Sequence, residues 1–242
     1  MNLTTKLVKP YRYVLLQQGT IPLAPDGTVD RSIEHRCTSV LIWPEDEQPS
    51  LGNTILTDPC FTSTGFGYAS AQLQQWNLSF ADIGRIFVTH RHRDHMPNLS
   101  YFFGRTKFKN FRGGTRKTLA SLLTVPYPGH APDLRALVFR AGSHQTIVIV
   151  GDAILDRAWL EAWGYYWPNG YLPYEIVQTR ESVAQILAIA DVIIPGHGQP
   201  ITVTAALIKA LLSTFPSAEY ASECQGIEQV LNNRLDQILA QK

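Results

Sequence analysis

No stretch of this 242-residue chain approaches the ~18 consecutive apolar residues of a membrane-crossing helix, so no membrane partner is expected. Cysteine is scarce. Cys37, Cys60 and Cys224 are odd in number and far apart, which excludes a disulfide scaffold and suits a reducing compartment. The opening residues, MNLTTKLVKPYRY, lack the apolar core of an export signal, so a cytoplasmic protein is expected. Neither sign of charge dominates: 21 Lys and Arg face 20 Asp and Glu, so composition alone calls for neither nucleic acid nor a lipid surface. Charged residues make up only 17% of the chain and hydrophobic ones 45%, which excludes a disordered chain and supports a large core. No fixed-period repeat or low-complexity linker interrupts the sequence, and residues 1–242 read as one domain with a helical C-terminus.

What is present reads as mixed α and β. Short apolar runs at Tyr11–Gln17, Cys37–Trp43 and Thr54–Thr57 are separated by turn-rich segments such as LAPDG and PEDEQPS, predicting an antiparallel β region. YASAQLQQWN (Tyr68–Asn77) has helix-forming composition, and RIFVT (Arg85–Thr89) reads as a buried strand. TLASLLTVPY, LRALVFR and QTIVIVGD are further strands, the last almost wholly apolar and β-branched. Val183, Ile186, Leu187 and Ala190 recur at helical spacing, as do Ile227, Val230, Leu231, Leu235 and Ile238. Antiparallel pairings lead, so a layered α/β sandwich is expected rather than a doubly wound parallel sheet.

The chemistry concentrates in VTHRHRDHMPN. His90 and His92 are two apart behind a strand, so in extended backbone both imidazoles can face one point. Asp94 and His95 are adjacent, an arrangement that serves two points better than one. His130 (YPGHAP) and His197 (IPGHGQP) each follow Pro-Gly after an apolar run, and Asp152 ends IVIVGD. Five of the seven histidines thus fall with two aspartates in loops at strand ends, where functional groups concentrate. Imidazoles and carboxylates are the donors of zinc and iron sites.

THRHRDH matches the His-x-His-x-Asp-His signature, and the chain from about Val40 to Pro200 resembles the metallo-β-lactamase superfamily, with His130, Asp152 and His197 in the order and contexts of that family. The segments GDAILDRAWLEAW and ADVIIPGHGQP resemble more closely the metallo-β-lactamase domain-containing protein 1 group. The resemblance implies an αβ/βα four-layer sandwich of two mixed β-sheets flanked by helices. It implies two divalent metal ions, with zinc preferred and iron or manganese compatible. His90, His92 and His130 would hold one; Asp94, His95 and His197 would hold the other; Asp152 would bridge them. Asp94 and Asp152 would be the catalytic carboxylates and a metal-bridging hydroxide the nucleophile. Asp58, in ILTDP, resembles the family's aspartate on an early strand and would orient a ligand. Met96-Pro97 departs from the family, which usually has a small residue or glycine after the signature; proline suits the first turn of a helix.

The implied reaction is hydrolysis of an ester, thioester or lactone, with a small molecule as partner. The second expectation is a phosphodiesterase or endoribonuclease, and the third a mononuclear iron oxygenase of the persulfide dioxygenase type. Quorum-quenching lactonases have a tyrosine three residues after the bridging aspartate; Leu155 stands there in this chain. Acidic residues are absent from His95 to Pro132, a stretch with six cations interleaved with Phe108 and Phe111. Among those cations, Lys107, Lys109, Arg112 and Lys117 are candidate contacts to RNA or another anion. Trp163, Tyr165 and Tyr166, within a cluster of seven aromatics after Asp152, are candidates for a wall over the metals. The same cluster is compatible with helix packing or a homodimer interface. His35 and His144 fall outside the motif and read as ordinary core or surface histidines.

Overall fold

A computed structural model of the chain describes residues 7, 9–102, 107–108, 116–119, 121–142 and 144–241. Two mixed sheets form its centre. The first has the order β1 (Tyr11–Gln17), β2 (Ser39–Pro44), β3 (Ile55–Thr57), β4 (Arg85–Phe87), β5 (Lys107–Phe108). The second runs β11 (Ile201–Thr202), β10 (Val192–Pro195), β9 (Thr146–Gly151), β8 (Arg135–Arg140), β7 (Leu122–Pro126), β6 (Arg116–Leu119). Antiparallel pairings lead; β3–β4, β4–β5 and β9–β10 are the parallel ones.

The period-2 alternation of strand side chains explains the layers. In β2, Val40 and Ile42 face the other sheet, where they meet Leu137 and Phe139 of β8 and Ile147 and Ile149 of β9. Leu41 and Trp43 point the opposite way, into a cluster with Ala69 and Leu73 of α1 (Ser63–Gln74). In β9, Val148 and Val150 leave the inter-sheet layer and pack beneath Val183, Ile186 and Leu187 of α3 (Pro173–Ile189). α2 (Arg157–Glu161), α4 (Ala205–Thr214) and α5 (Ile227–Ala240) complete that outer layer. Strands buried on both faces read as continuous apolar runs, which is why β2 and β9 stand out in the sequence. The result is the expected αβ/βα four-layer sandwich.

Helix boundaries follow their caps. The Thr62 side chain accepts from Gly65 N–H, so α1 begins five residues before the helix-like composition does. α3 starts at Pro173, and the Glu175 carboxylate accepts from the Leu172 N–H. Among the described residues no helix is long and apolar enough to cross a membrane.

Candidate metal centre

Five chain segments leave the strands at one end of the two sheets: after β3 (Asp58), after β4 (His90 to His95), after β7 (His130), after β9 (Asp152) and after β10 (His197). The structure brings together every sequence-predicted donor among them. One ligand atom from each of His90, His92, His130 and Asp152 lies within 4.8 Å of the other three, and the same holds for Asp94, His95, Asp152 and His197. Asp152 is common to both groups. His95 Nε2 lies 2.9 Å and His197 Nε2 3.2 Å from Asp152 Oδ1. On the other oxygen, His130 Nε2 is at 3.4 Å and His90 Nε2 at 3.9 Å. Ligands held at ~2.0–2.1 Å around a tetrahedral ion lie ~3.3 Å apart, so these spacings suit atoms that share a cation.

Local backbone places each group. A short 3-10 turn, Arg93–His95, sends Asp94 and His95 to different sides, as their adjacency predicts. His197 is seated by backbone bonds from Gly196 N–H to Ile154 O (3.1 Å) and from its own N–H to Leu155 O (2.7 Å). The His130 loop rests on α3, where Ser182 Oγ donates to Pro128 O at 2.7 Å. Gly151 has φ +51° and lies so close to Thr89 that a Cβ there would strike that side chain, so glycine permits β9 to end against the His90 loop.

The far ring nitrogens determine which way the lone pairs point. Asp58 accepts from Thr89 N–H at Oδ1 (2.7 Å) and from the Thr89 hydroxyl at Oδ2 (2.9 Å). With its proton committed to Asp58, Thr89 Oγ1 accepts from His90 Nδ1–H at 3.1 Å. His95 Nδ1 lies 3.2 Å from Asp58 Oδ2, and His197 Nδ1 2.9 Å from the Arg36 carbonyl oxygen; both nitrogens must donate, since carboxylate and carbonyl only accept. Three imidazoles therefore turn Nε2 inward. Asp58, at φ 38°, adopts a left-handed backbone conformation that aspartate tolerates better than most residues.

Electrostatics agree. His90 Nε2, His95 Nε2 and Asp152 Oδ1 are buried without a well-formed hydrogen bond to another described residue, a costly arrangement unless positive charge lies among them. Burial, with neighbouring His95, holds His90 well below its usual pKa, and burial lowers His130 to about 4; both stay neutral, the form that binds metal. Burial acts the same way on His95, but the Asp152 and Asp58 carboxylates overcome it and raise its pKa. Burial would raise Asp152, yet His95 and His197 pull it well below the carboxylate range. The carboxylate thus recruits positive charge, as protons or as cations. The donor chemistry fits two divalent ions.

Above the donors opens a cleft of about 260 Å³, walled by Ile21, Leu155 and Tyr166 on its apolar side and reached by Arg93 and Asn169. Of the aromatic candidates, Tyr166 lines it. Tyr165 turns away and donates to Glu219 at 2.8 Å. Trp163 is 3% exposed, packs at a tilt against Phe215 and donates its indole N–H to Leu211 O, so packing claims it and it is no part of the wall. Lys109 and Arg112, and the side chains of Lys107 and Lys117, lie outside the described residues.

Two participants do not stand out in the sequence. His35, taken as an ordinary histidine, lines the cleft with Nε2 3.1 Å from Asp94 Oδ2. Tyr171 Oη lies 2.9 Å from His130 Nδ1 and accepts from Asn169 Nδ2 at 2.7 Å. Their partners lie 59 and 41 residues away, and no motif announces them.

No family model matches the chain. In solved structures the same architecture recurs in a metallo-β-lactamase from Thermotoga maritima, with a TM-score of 0.59, 17% identity, and coverage of 80% of this chain and 99% of that one. This chain has a metallo-β-lactamase fold. A Bacillus thuringiensis AiiA variant with N-decanoyl-L-homoserine bound at its active site shares the fold, with a TM-score of 0.55, 13% identity and coverage of 79% and 94%. Among curated sequences, the Xenopus laevis metallo-β-lactamase domain-containing protein 1 is 33% identical over 147 residues, 54% of this chain and 60% of that protein. The match therefore spans less than two thirds of the frog protein's length. Within the metallo-β-lactamase fold the donors described above occupy one edge of the two sheets.

Proposed function

We propose that the protein is a metal-dependent hydrolase with a dinuclear centre, zinc preferred, that cleaves a small ester, thioester or lactone. The observation that carries this reading is the pair of donor groups sharing Asp152 at the floor of a small cleft. His90, His92 and His130 would hold one cation, Asp94, His95 and His197 the other, with Asp152 between them. When bound, such ions supply a hydroxide at neutral pH and polarise the substrate oxygen. The chain's residues do the rest. Asp58 fixes His95, and through Thr89 it fixes His90. Asp94, with 39% of its side chain exposed, lies at the rim of the cleft, where the His35 hydrogen bond outweighs burial and keeps its carboxylate ionised. Tyr166 brings a phenol to the cleft from a different chain position than the lactonase tyrosine, and Arg93 offers charge to an anionic substituent.

A cleft of about 260 Å³ lies just below the ~300–1,000 Å³ of most ligand pockets, which favours a compact acyl compound. A second reading, phosphodiesterase or ribonuclease, draws on Arg93 and on the acid-free stretch from His95 to Pro132. Three unpaired cysteines support a cytoplasmic location.

Elemental analysis beside a panel of thioester, lactone, ester and RNA substrates tests both readings. The expected result is two equivalents of metal and acyl hydrolysis abolished by chelation. Chelator-sensitive RNA cleavage, with affinity falling steeply as salt rises, would favour the second reading instead.

Tyr171 offers a narrower check. For His130 Nε2 to bind a cation, its Nδ1–H must donate to Tyr171 Oη, whose other lone pair takes the Asn169 N–H. Tyr171→Phe should weaken binding of one cation about 10–100-fold and leave the other unchanged, read by competition against a graded chelator. Unchanged affinity at both positions would show that the phenol does not set the tautomer of His130.

A further inference from the structure

Asp94 faces a second set of donors besides the one already described. His35 Nε2 lies 3.1 Å and Cys37 Sγ 3.4 Å from the same Asp94 oxygen, Oδ2. His197 Nε2 is 3.9 Å from that oxygen, and the His35 and His197 rings meet edge to face with centroids 4.7 Å apart. One ligand atom from each of His35, Cys37, Asp94 and His197 lies within 4.8 Å of the other three. Two imidazoles, a thiol and a carboxylate suit zinc and softer divalent ions.

This set overlaps the inner one through Asp94 and His197; Cys37 and His197 are buried like the inner donors, and His35 and Asp94 form its exposed side. The side chains of His35 and Asp94 are 36% and 39% exposed, whereas those of His95 and Asp152 are 0% and 5% exposed. A cation arriving through the cleft therefore meets His35 and Asp94 before it can reach His95 and Asp152. His197 Nε2 faces both positions, 3.2 Å from Asp152 Oδ1 and 3.9 Å from Asp94 Oδ2.

We propose that His35, Cys37, Asp94 and His197 form an outer station for a zinc-like or softer divalent cation, through which the second metal enters and leaves the inner position. The proposal rests on the reading that Asp94 and His197 hold a cation. In the outer station Cys37, buried beside Asp94, would bind as thiolate, its proton displaced by the arriving cation and carried off by the water that the ion sheds. When the ion moves inward, keeping Asp94 and His197, Cys37 takes a proton back and donates it to Asp94 Oδ2, the contact seen in the structure. His35 and Cys37 thus give the second metal a stepwise path.

Cadmium, a thiolate-seeking ion, is the probe. Metal-free protein is titrated with Cd²⁺ while the near-ultraviolet sulfur-to-cadmium absorption is followed. The band should grow within the first two equivalents, vanish in Cys37→Ser, and persist in Cys60→Ser, whose thiol donates to the Cys37 carbonyl at 3.2 Å but is outside the donor set. His35→Ala should weaken the Cd²⁺ affinity that accompanies the band about 10-fold or more. Cadmium NMR of the unaltered protein reads sulfur ligation directly, so the outcome does not depend on any variant folding. Two bound Cd²⁺ without sulfur ligation, or a band that survives Cys37→Ser, would overturn the outer station and leave the dinuclear reading intact. Failure to bind Cd²⁺ at all would overturn both.

Discussion

Asp152→Ala is expected to abolish turnover and to strip metal from both positions while the sandwich persists. The carboxylate belongs to both donor groups, and its two oxygens have four imidazole nitrogens within 3.9 Å. Removing one partner from a buried charged constellation costs about 3–5 kcal/mol, so each cation should bind at least about a hundredfold more weakly. The fold should survive because Asp152 follows β9 rather than packing within it, and the strand's apolar faces, Ile147 and Ile149 against Val148 and Val150, are untouched. Metal analysis, turnover and circular dichroism check the three parts of this expectation. A variant that kept two metals and full activity would show that Asp152 does not bridge.

Gly196→Ala should have nearly as large an effect, although it removes no ligand. A Cβ at position 196 would fall on Asp152 Oδ1 and come within 3.0 Å of the Gly151 carbonyl carbon. A flexible side chain could swing away, but this carboxylate is pinned by His95 and His197, so its displacement breaks the geometry both cations need. Overpacking of this kind costs about 1–3 kcal/mol. The expected outcome is a folded protein with a lowered melting temperature, at most one metal and little turnover. Wild-type metal content in the purified variant would show that Asp152 has room the structure does not display.

Much of the fold was legible because its central strands are buried on both faces. Continuous apolar runs such as SVLIWP and TIVIVG have no other economical reading. The start of α1 was not legible, since Gly65 and Gly67 dilute the helix signal ahead of Tyr68 and the Thr62 cap is a single hydroxyl. Each residue of the two donor groups that share Asp152 was visible in the motifs, because strand ends at one edge of two stacked sheets converge. His35 and Tyr171 were not, because each meets its partner only after distant loops fold together. Trp163 shows the opposite error. An aromatic near a site in sequence is as readily claimed by helix packing, and here Phe215 and the Leu211 carbonyl claim it.

The two sheets divide the donors between them: His90, His92, Asp94 and His95 come from the end of the first, and His130, Asp152 and His197 from the end of the second. Any ion held jointly by these residues acts as a rivet across the seam, adding to the apolar layer between the sheets and to cross-seam hydrogen bonds such as Arg135 N–H to the Thr89 carbonyl at 2.9 Å. Occupancy is then felt well beyond the cleft, as resistance of the whole sandwich to prising open at that edge.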